Sequence, residues 1–379
     1  MIAATAFVCD ALIGLGIVAF RLDERVAEGL RGAHHLLVEH AYKSYILRPG
    51  QKIPARDGRI IQINENGHMV YAEDLDLATR PKASGEVRML FLGGSTTYQG
   101  WAFDVADLLN RESGGKNTYK VINAGTGMYT SQENLIDLAI CGFSYKPDLV
   151  VAYLPVNDVY WTASYPGFRR DYTHMRVPLK VGVPLFERRH SYPFTLRLAY
   201  TLYRNSHDLT WFAARGPFPA EDIVQRGSVP QLEGVTAAVI ENIQSMKALC
   251  EARGIPFVLI TQKLFPTPNP SAKILDKATD EVIARIKQAK ELRPIHLLDM
   301  AQAFPDVWDE ASKARVRAAF PGREAEYGGF GPPPSYDSMH FNPAGVLLFA
   351  AIVRDYLADQ GLVPTSHRLR AKHGQPQAP

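Results

Sequence analysis

Three short stretches of this chain are almost wholly apolar: Met89-Leu90-Phe91-Leu92, Leu149-Val150-Val151-Ala152-Tyr153-Leu154 and Phe257-Val258-Leu259-Ile260. Runs of four to six such residues are short for buried helices and read as strands covered on both faces. Helical spacing separates them. Phe103, Ala106 and Leu109 share one face after the first run, and Val239, Ile243, Met246 and Leu249, closed by Gly254, share another before the third. Tyr119-Lys120-Val121-Ile122 and Ile295-His296-Leu297-Leu298 supply two further strands, and Leu135–Cys141 and Ile274–Leu292 two further helices. A last helix starts at Asn342 as N-cap with Pro343 in its first turn, and Gly361 stops it. Strands alternating with helices predict an α/β fold, a three-layer arrangement around a parallel sheet.

The rest of the chain is organised around that core. Between Met1 and Phe20 the only charged residue is Asp10, so residues 1–20 read as a membrane anchor of about bilayer-spanning length, the alternative being a helix packed on the domain or on a partner. That would place the remainder on the periplasmic or extracellular face, with membrane association confined to this segment. Residues 21–86 are expected to be a helical connector (21–48, with Val26, Leu30, His34, Leu37 and Ala41 in phase) and then an irregular lead-in. Within the lead-in, Arg59–Ile63 is a strand candidate and Asn64-Glu65-Asn66-Gly67 a turn. The main domain spans 87–365. It contains an aromatic-rich insertion at 159–233, an irregular stretch at 300–336, and a flexible tail at 366–379 beyond its end.

Composition removes some function classes. Forty-two Lys plus Arg stand against 39 Asp plus Glu, a formal net charge of +3 with no long basic run, so no nucleic-acid partner is expected. Three dispersed cysteines provide neither a disulfide framework nor a zinc site, and no cofactor motif is present.

The chemistry-bearing residues lie at strand ends and before the last helix, where sites form in such sheets. Gly93-Gly94-Ser95-Thr96-Thr97 follows the first strand and places Ser95 at the start of a helix, as a nucleophile or as a cap. Asn123-Ala124-Gly125-Thr126-Gly127-Met128 follows the second strand and could present a backbone N–H to a substrate oxygen. Asn157, in Pro155-Val156-Asn157-Asp158 after the third, could offer its side-chain N–H to the same oxygen or simply cap a turn. In Asp337-Ser338-Met339-His340 the carboxylate can hold one imidazole nitrogen and leave the other free as a base. His174 and Asp299 belong to no such constellation and are expected to be structural.

Taken in this order, the blocks resemble the SGNH/GDSL hydrolase family, over roughly residues 87–360. Gly94-Ser95 matches its first block with Gly94 in place of the usual Asp, Asn157-Asp158 its third, and Asp337-Ser338-Met339-His340 its last. The resemblance implies a flavodoxin-like sheet and a serine ester hydrolase, an acylhydrolase or deacetylase of small-molecule or glycan esters that needs no metal or cofactor. It assigns Ser95, His340 and Asp337 as the triad. The oxyanion donors it implies are the Ser95 N–H, the Asn157 side chain, and the N–H of Gly127 or Met128. Two departures stand out: Pro155 replaces a usual Gly, and Met128 stands where Gly is usual. A glycan O-acyltransferase would use the same triad, and a non-catalytic binding module would keep only the fold.

Overall fold

The computed structural model describes residues 9–12, 37–38, 40, 42–55, 57–174, 220–323, 330 and 333–364. The chain divides into two units, residues 1–48 with 165–219 and residues 49–164 with 220–379. In the first unit Leu37–Val38 (β1) and Ile46–Leu47 (β2) form a short antiparallel pair. The helical spacing expected to run to Ala41 therefore gives way by Leu37, whose partner is Leu47. Apart from residues 9–12, the expected anchor at 1–20 lies outside the described residues, as do 175–219 of the aromatic insertion and the tail at 366–379. Among the described residues no helix is long and apolar enough to cross a membrane.

The second unit holds an eight-stranded sheet. Its strands are Lys52–Pro54 (β3), Ile60–Ile63 (β4), Met69–Tyr71 (β5), Glu86–Gly93 (β6), Thr118–Asn123 (β7), Leu149–Leu154 (β8), Phe257–Thr261 (β9) and His296–Leu298 (β10). They lie in the order β10-β9-β8-β6-β7-β5-β4-β3. The five expected strands β6 to β10 are parallel to one another in the flavodoxin-like order. β8 and β9 are buried along their whole length, as their unbroken apolar sequences require.

Crossover handedness distributes the helices. The chain moves one way from β6 to β7 through Trp101–Ser113 and the opposite way from β7 to β8 through Ser131–Ile140. With right-handed connections, those two helices must cover opposite faces. Leu232–Glu251 and Pro270–Gln288 continue on the second face, and the last helix, Pro343–Asp359, packs on Trp101–Ser113. That last helix begins as expected, with the Asn342 side chain accepting the Gly345 N–H at 2.8 Å.

Two segments expected to be irregular, apart from the strand candidate at Arg59–Ile63 that is seen as β4, are ordered instead. The lead-in adds three antiparallel strands to the sheet, β5 meeting β7 at Met69 opposite Asn123. It is fastened by a buried cluster in which the Tyr145 hydroxyl takes N–H bonds from Asn64 at 2.8 Å and Asn66 at 2.9 Å. The His68 ring bridges that hydroxyl to Asp137 at 3.0 and 2.8 Å. The stretch 300–336 contains helices Met300–Ala303 and Glu310–Ala319, the latter capped by the Asp309 carboxylate on Ser312 N–H. His174 takes the Arg169 N–H, while Asp299 is held by Thr261 and Lys287.

Candidate active site

The order of the strands makes the site. β6 connects outward to β7 on one side while β8 lies on its other side, so the crevice beyond their carboxyl ends is the topological switch point of the sheet. Ser95 follows β6 and Asn157 follows β8, so both stand at that crevice.

Three glycines let the loops there approach closely. At Gly93 a Cβ would run into the Thr97 side chain, and at Gly125 it would lie 2.6 Å from the Tyr98 nitrogen. At Gly94 it would strike the Asn157 amide nitrogen. Gly94 therefore has a packing cause: the space beside its Cα is filled by the Asn157 amide. Its φ of −94° and ψ of −151° are open to other residues, so an added side chain tests the contact rather than backbone strain. Gly94→Ala is expected to displace the Asn157 amide and lower kcat about 10- to 100-fold, as misplacement by an ångström does. Steady-state kinetics on an ester with thermal melting as the fold control checks this, and wild-type kcat would show the contact to be slack.

Ser95 opens the short helix Ser95–Tyr98 and is partly accessible. Its Oγ lies 2.7 Å from His340 Nε2. On the other side of the ring, His340 Nδ1 lies 2.7 Å from Asp337 Oδ2. The second oxygen, Asp337 Oδ1, accepts the backbone N–H of Met339 at 2.8 Å and of His340 at 2.7 Å. Burial would raise the Asp337 carboxyl, but the imidazole bond and the two N–H donors outweigh it and hold it at about 2. Ser95, His340 and Asp337 thus form one continuous relay.

The loop carrying His340 is braced at several points. Ser335 bridges to Phe341, and Tyr336 N–H donates to His340 O at 2.7 Å. Phe341 is buried against the Phe265, Phe304 and Phe349 rings. Phe265 N–H donates to Ser338 O at 2.8 Å, and the Gln99 side chain binds the Phe341 backbone. A wide π-type turn over Asp158–Ala163 brings the Tyr160 hydroxyl to 2.5 Å from Asp276 and 3.4 Å from Ser338 Oγ. Burial pushes the Asp276 carboxyl up to about 6, against hydrogen bonds from Tyr160 and Ser338 that pull it down.

Asn157 is buried and donates one amide proton to Tyr129 O at 2.9 Å. An amide nitrogen carries two protons, so this bond uses only one of them. Tyr129 closes a turn over Thr126–Tyr129, its N–H donating to Thr126 O at 3.1 Å. Met128 takes φ 63° there, a left-handed conformation in which glycine is the easier residue. Gly127 borders open space. Next to Asn157, Asp158 has a role that its sequence position did not suggest. It is fully buried and accepts Ser131 Oγ at 2.6 Å and Ser131 N–H at 3.1 Å, tying the loop that carries Tyr129 to the end of β8. Among the described residues no group of His, Cys, Asp or Glu could hold a metal ion.

No family model matches the chain, and no curated protein matches it. Among solved structures it is similar to a GDSL-like lipase from Bacteroides thetaiotaomicron, at 16% identity and a TM-score of 0.40 over 75% of this chain and 95% of that one. It is also similar to an acetylxylan esterase from Geobacillus stearothermophilus, at 15% identity and a TM-score of 0.38 over 73% of this chain and 96% of that one. A lipase/acylhydrolase from Enterococcus faecalis shares 16% identity at a TM-score of 0.35, over 72% of this chain and 96% of that one.

Proposed function

We propose that this chain is a serine ester hydrolase, with Ser95 as nucleophile, His340 as general base and acid, and Asp337 orienting the imidazole. The observation that carries the reading is the unbroken relay of 2.7 Å contacts from Ser95 Oγ through His340 to Asp337. Ser95 Oγ attacks the ester carbonyl as His340 Nε2 takes its proton. The same imidazolium then protonates the leaving alkoxide, and water repeats the sequence on the acyl-enzyme. The negative charge on the carbonyl oxygen is met by the Ser95 N–H, the second amide proton of Asn157 and an N–H from Gly127 or Met128.

The test is turnover of p-nitrophenyl acetate, with product analysis in the presence of a sugar acceptor. Release of nitrophenol with free acetate supports hydrolysis, and acetyl transfer to the sugar would make the chain a transferase. No turnover and no organophosphonate labelling would leave a binding module. Asn157→Ala addresses the oxyanion directly. Its bond strengthens only as charge develops, so kcat is expected to fall about 10²–10³-fold with KM nearly constant. A near-normal kcat would reduce Asn157 to a turn residue. Asp158→Ala, by contrast, unties Ser131 and is expected to lower the melting temperature as well.

A further inference from the structure

We propose that Gln99 is a positioning residue for this reaction: its side-chain amide locks the histidine loop onto the helix that carries the nucleophile. The inference rests on the triad reading above and adds a residue that lies outside the motif blocks.

His340 and Asp337 sit in a loop near the surface, with side chains 31% and 54% exposed, so the imidazole depends on its neighbours for its place. Most of the braces on that loop come from elements remote from the nucleophile. Gln99 differs, because it ends the very helix that Ser95 begins. Its backbone N–H donates to Ser95 O at 3.1 Å. Its side chain reaches Phe341, the residue after His340, and makes two bonds to the backbone of that one residue. Gln99 Nε2 donates to Phe341 O at 2.8 Å, and Phe341 N–H donates to Gln99 Oε1 at 3.1 Å. The result is a closed circuit: Ser95 to Gln99 through the helix, Gln99 to Phe341 through the amide, Phe341 to His340 along the chain, and His340 back to Ser95 Oγ.

The chemistry of the side chain fits that task closely. Meeting an N–H and a C=O of the same residue requires an adjacent acceptor and donor, which among side chains only the carboxamides of Asn and Gln supply with fixed planarity. Glutamate keeps the acceptor but sets an oxygen against the Phe341 carbonyl. Leucine fills similar space and offers neither group. Because the clamp joins backbone to backbone through one planar group, it fixes the distance between Ser95 and His340. Its loss should therefore appear in the chemical step and leave binding alone. A shift of about 1 Å at the base is enough for a 10²-fold effect.

The experiment compares wild type with Gln99→Leu and Gln99→Glu in the full chain. Both variants are expected to lower kcat for p-nitrophenyl acetate about 10- to 100-fold, with KM within about twofold and a parallel fall in the rate of organophosphonate capture at Ser95. Thermal melting supplies the fold control, and the near-isosteric Glu variant covers the case in which Leu fails to fold. Wild-type kcat in a folded variant would overturn the proposal, as would a kcat loss accompanied by an equal rise in KM. A second readout needs no substrate: the proton shared by His340 and Asp337 is expected to give a far-downfield proton resonance in the wild type. Broadening of that signal in the variants supports the clamp even if no ester is turned over, whereas its persistence unchanged overturns the clamp whatever becomes of the esterase reading.

Discussion

Ser95→Ala is expected to abolish both ester turnover and organophosphonate labelling while leaving the fold unchanged. The substitution deletes one oxygen. Ser95 contributes a backbone to the nucleophile helix that alanine can supply equally well, since Tyr98 N–H donates to Gly94 O and Gln99 N–H to Ser95 O whatever the side chain. His340 would lose its partner on Nε2, but that nitrogen lies at a partly accessible site where water can replace the hydroxyl. The kinetic loss should be far larger than any structural one. Removal of a triad nucleophile costs about 10⁴–10⁶ in kcat and leaves only the rate supplied by binding and the oxyanion site. The measurement is kcat on p-nitrophenyl acetate together with mass spectrometry of protein treated with a phosphonate. A single adduct on Ser95 in wild type and none in the variant is the expected pair of results. An adduct retained by the variant would put the nucleophile elsewhere.

Asp337→Asn should come next in size, for a reason visible in its contacts. The carboxylate uses one oxygen for the Met339 and His340 N–H groups and the other for the His340 ring. An asparagine can keep the first set through its carbonyl oxygen, so the loop should hold its shape. It then presents an NH₂ group to His340 Nδ1, which favours the proton on Nε2 and removes the lone pair that must receive the Ser95 proton. The expected fall in kcat is about 10²–10⁴-fold. Half-exposure of Asp337 argues for the lower part of that range, because water also stabilises the imidazolium. A variant retaining more than a tenth of wild-type kcat would show that the tautomer is set by something else.

The same residue has a signature in stability. With its native carboxyl held at about 2, below the ordinary carboxylate value, ionised Asp337 favours the folded state at pH above that ordinary value. This contribution fades as pH falls through about 2. Melting curves of wild type and Asp337→Asn should therefore converge toward the acid end of that window.

The core strands could be read from the sequence because burial on both faces leaves no room for polar alternation, as in Leu149–Leu154. Asp337 and His340 were legible for a related reason: their hydrogen bond spans three residues, so it is written locally. What escaped reading is short or distant. β3 is three residues ending in Pro54, and β5 is three residues after a turn; neither is long enough for a period-2 pattern to stand out. Glu310–Ala319 has only Val316 and Ala319 buried, so its helical period is carried by charged residues facing water. Gln99 and Phe341 lie 242 positions apart, and no local pattern announces a bond over that separation. Asp158 was visible as a neighbour of Asn157, but its grip on Ser131 depends on a turn 27 residues away.

The three lead-in strands bear on where this domain can be cut. By sequence the regular alternation starts near Val87, yet β7 is flanked there by β5, and its Tyr119, Val121 and Ile122 are buried. A fragment beginning at residue 87 would strip β5 from the carboxyl end of β7, where Met69 pairs with Asn123, and leave that end of the sheet edge open, the geometry that recruits strands from other molecules. β5, β4 and β3 end the sheet differently. The outermost strand is short, carries exposed Lys52 and Pro54, and its proline has no N–H to offer a newcomer. The segment before the parallel strands thus serves as a protective hem, and the unit that holds the sheet begins at Pro49 rather than at Val87.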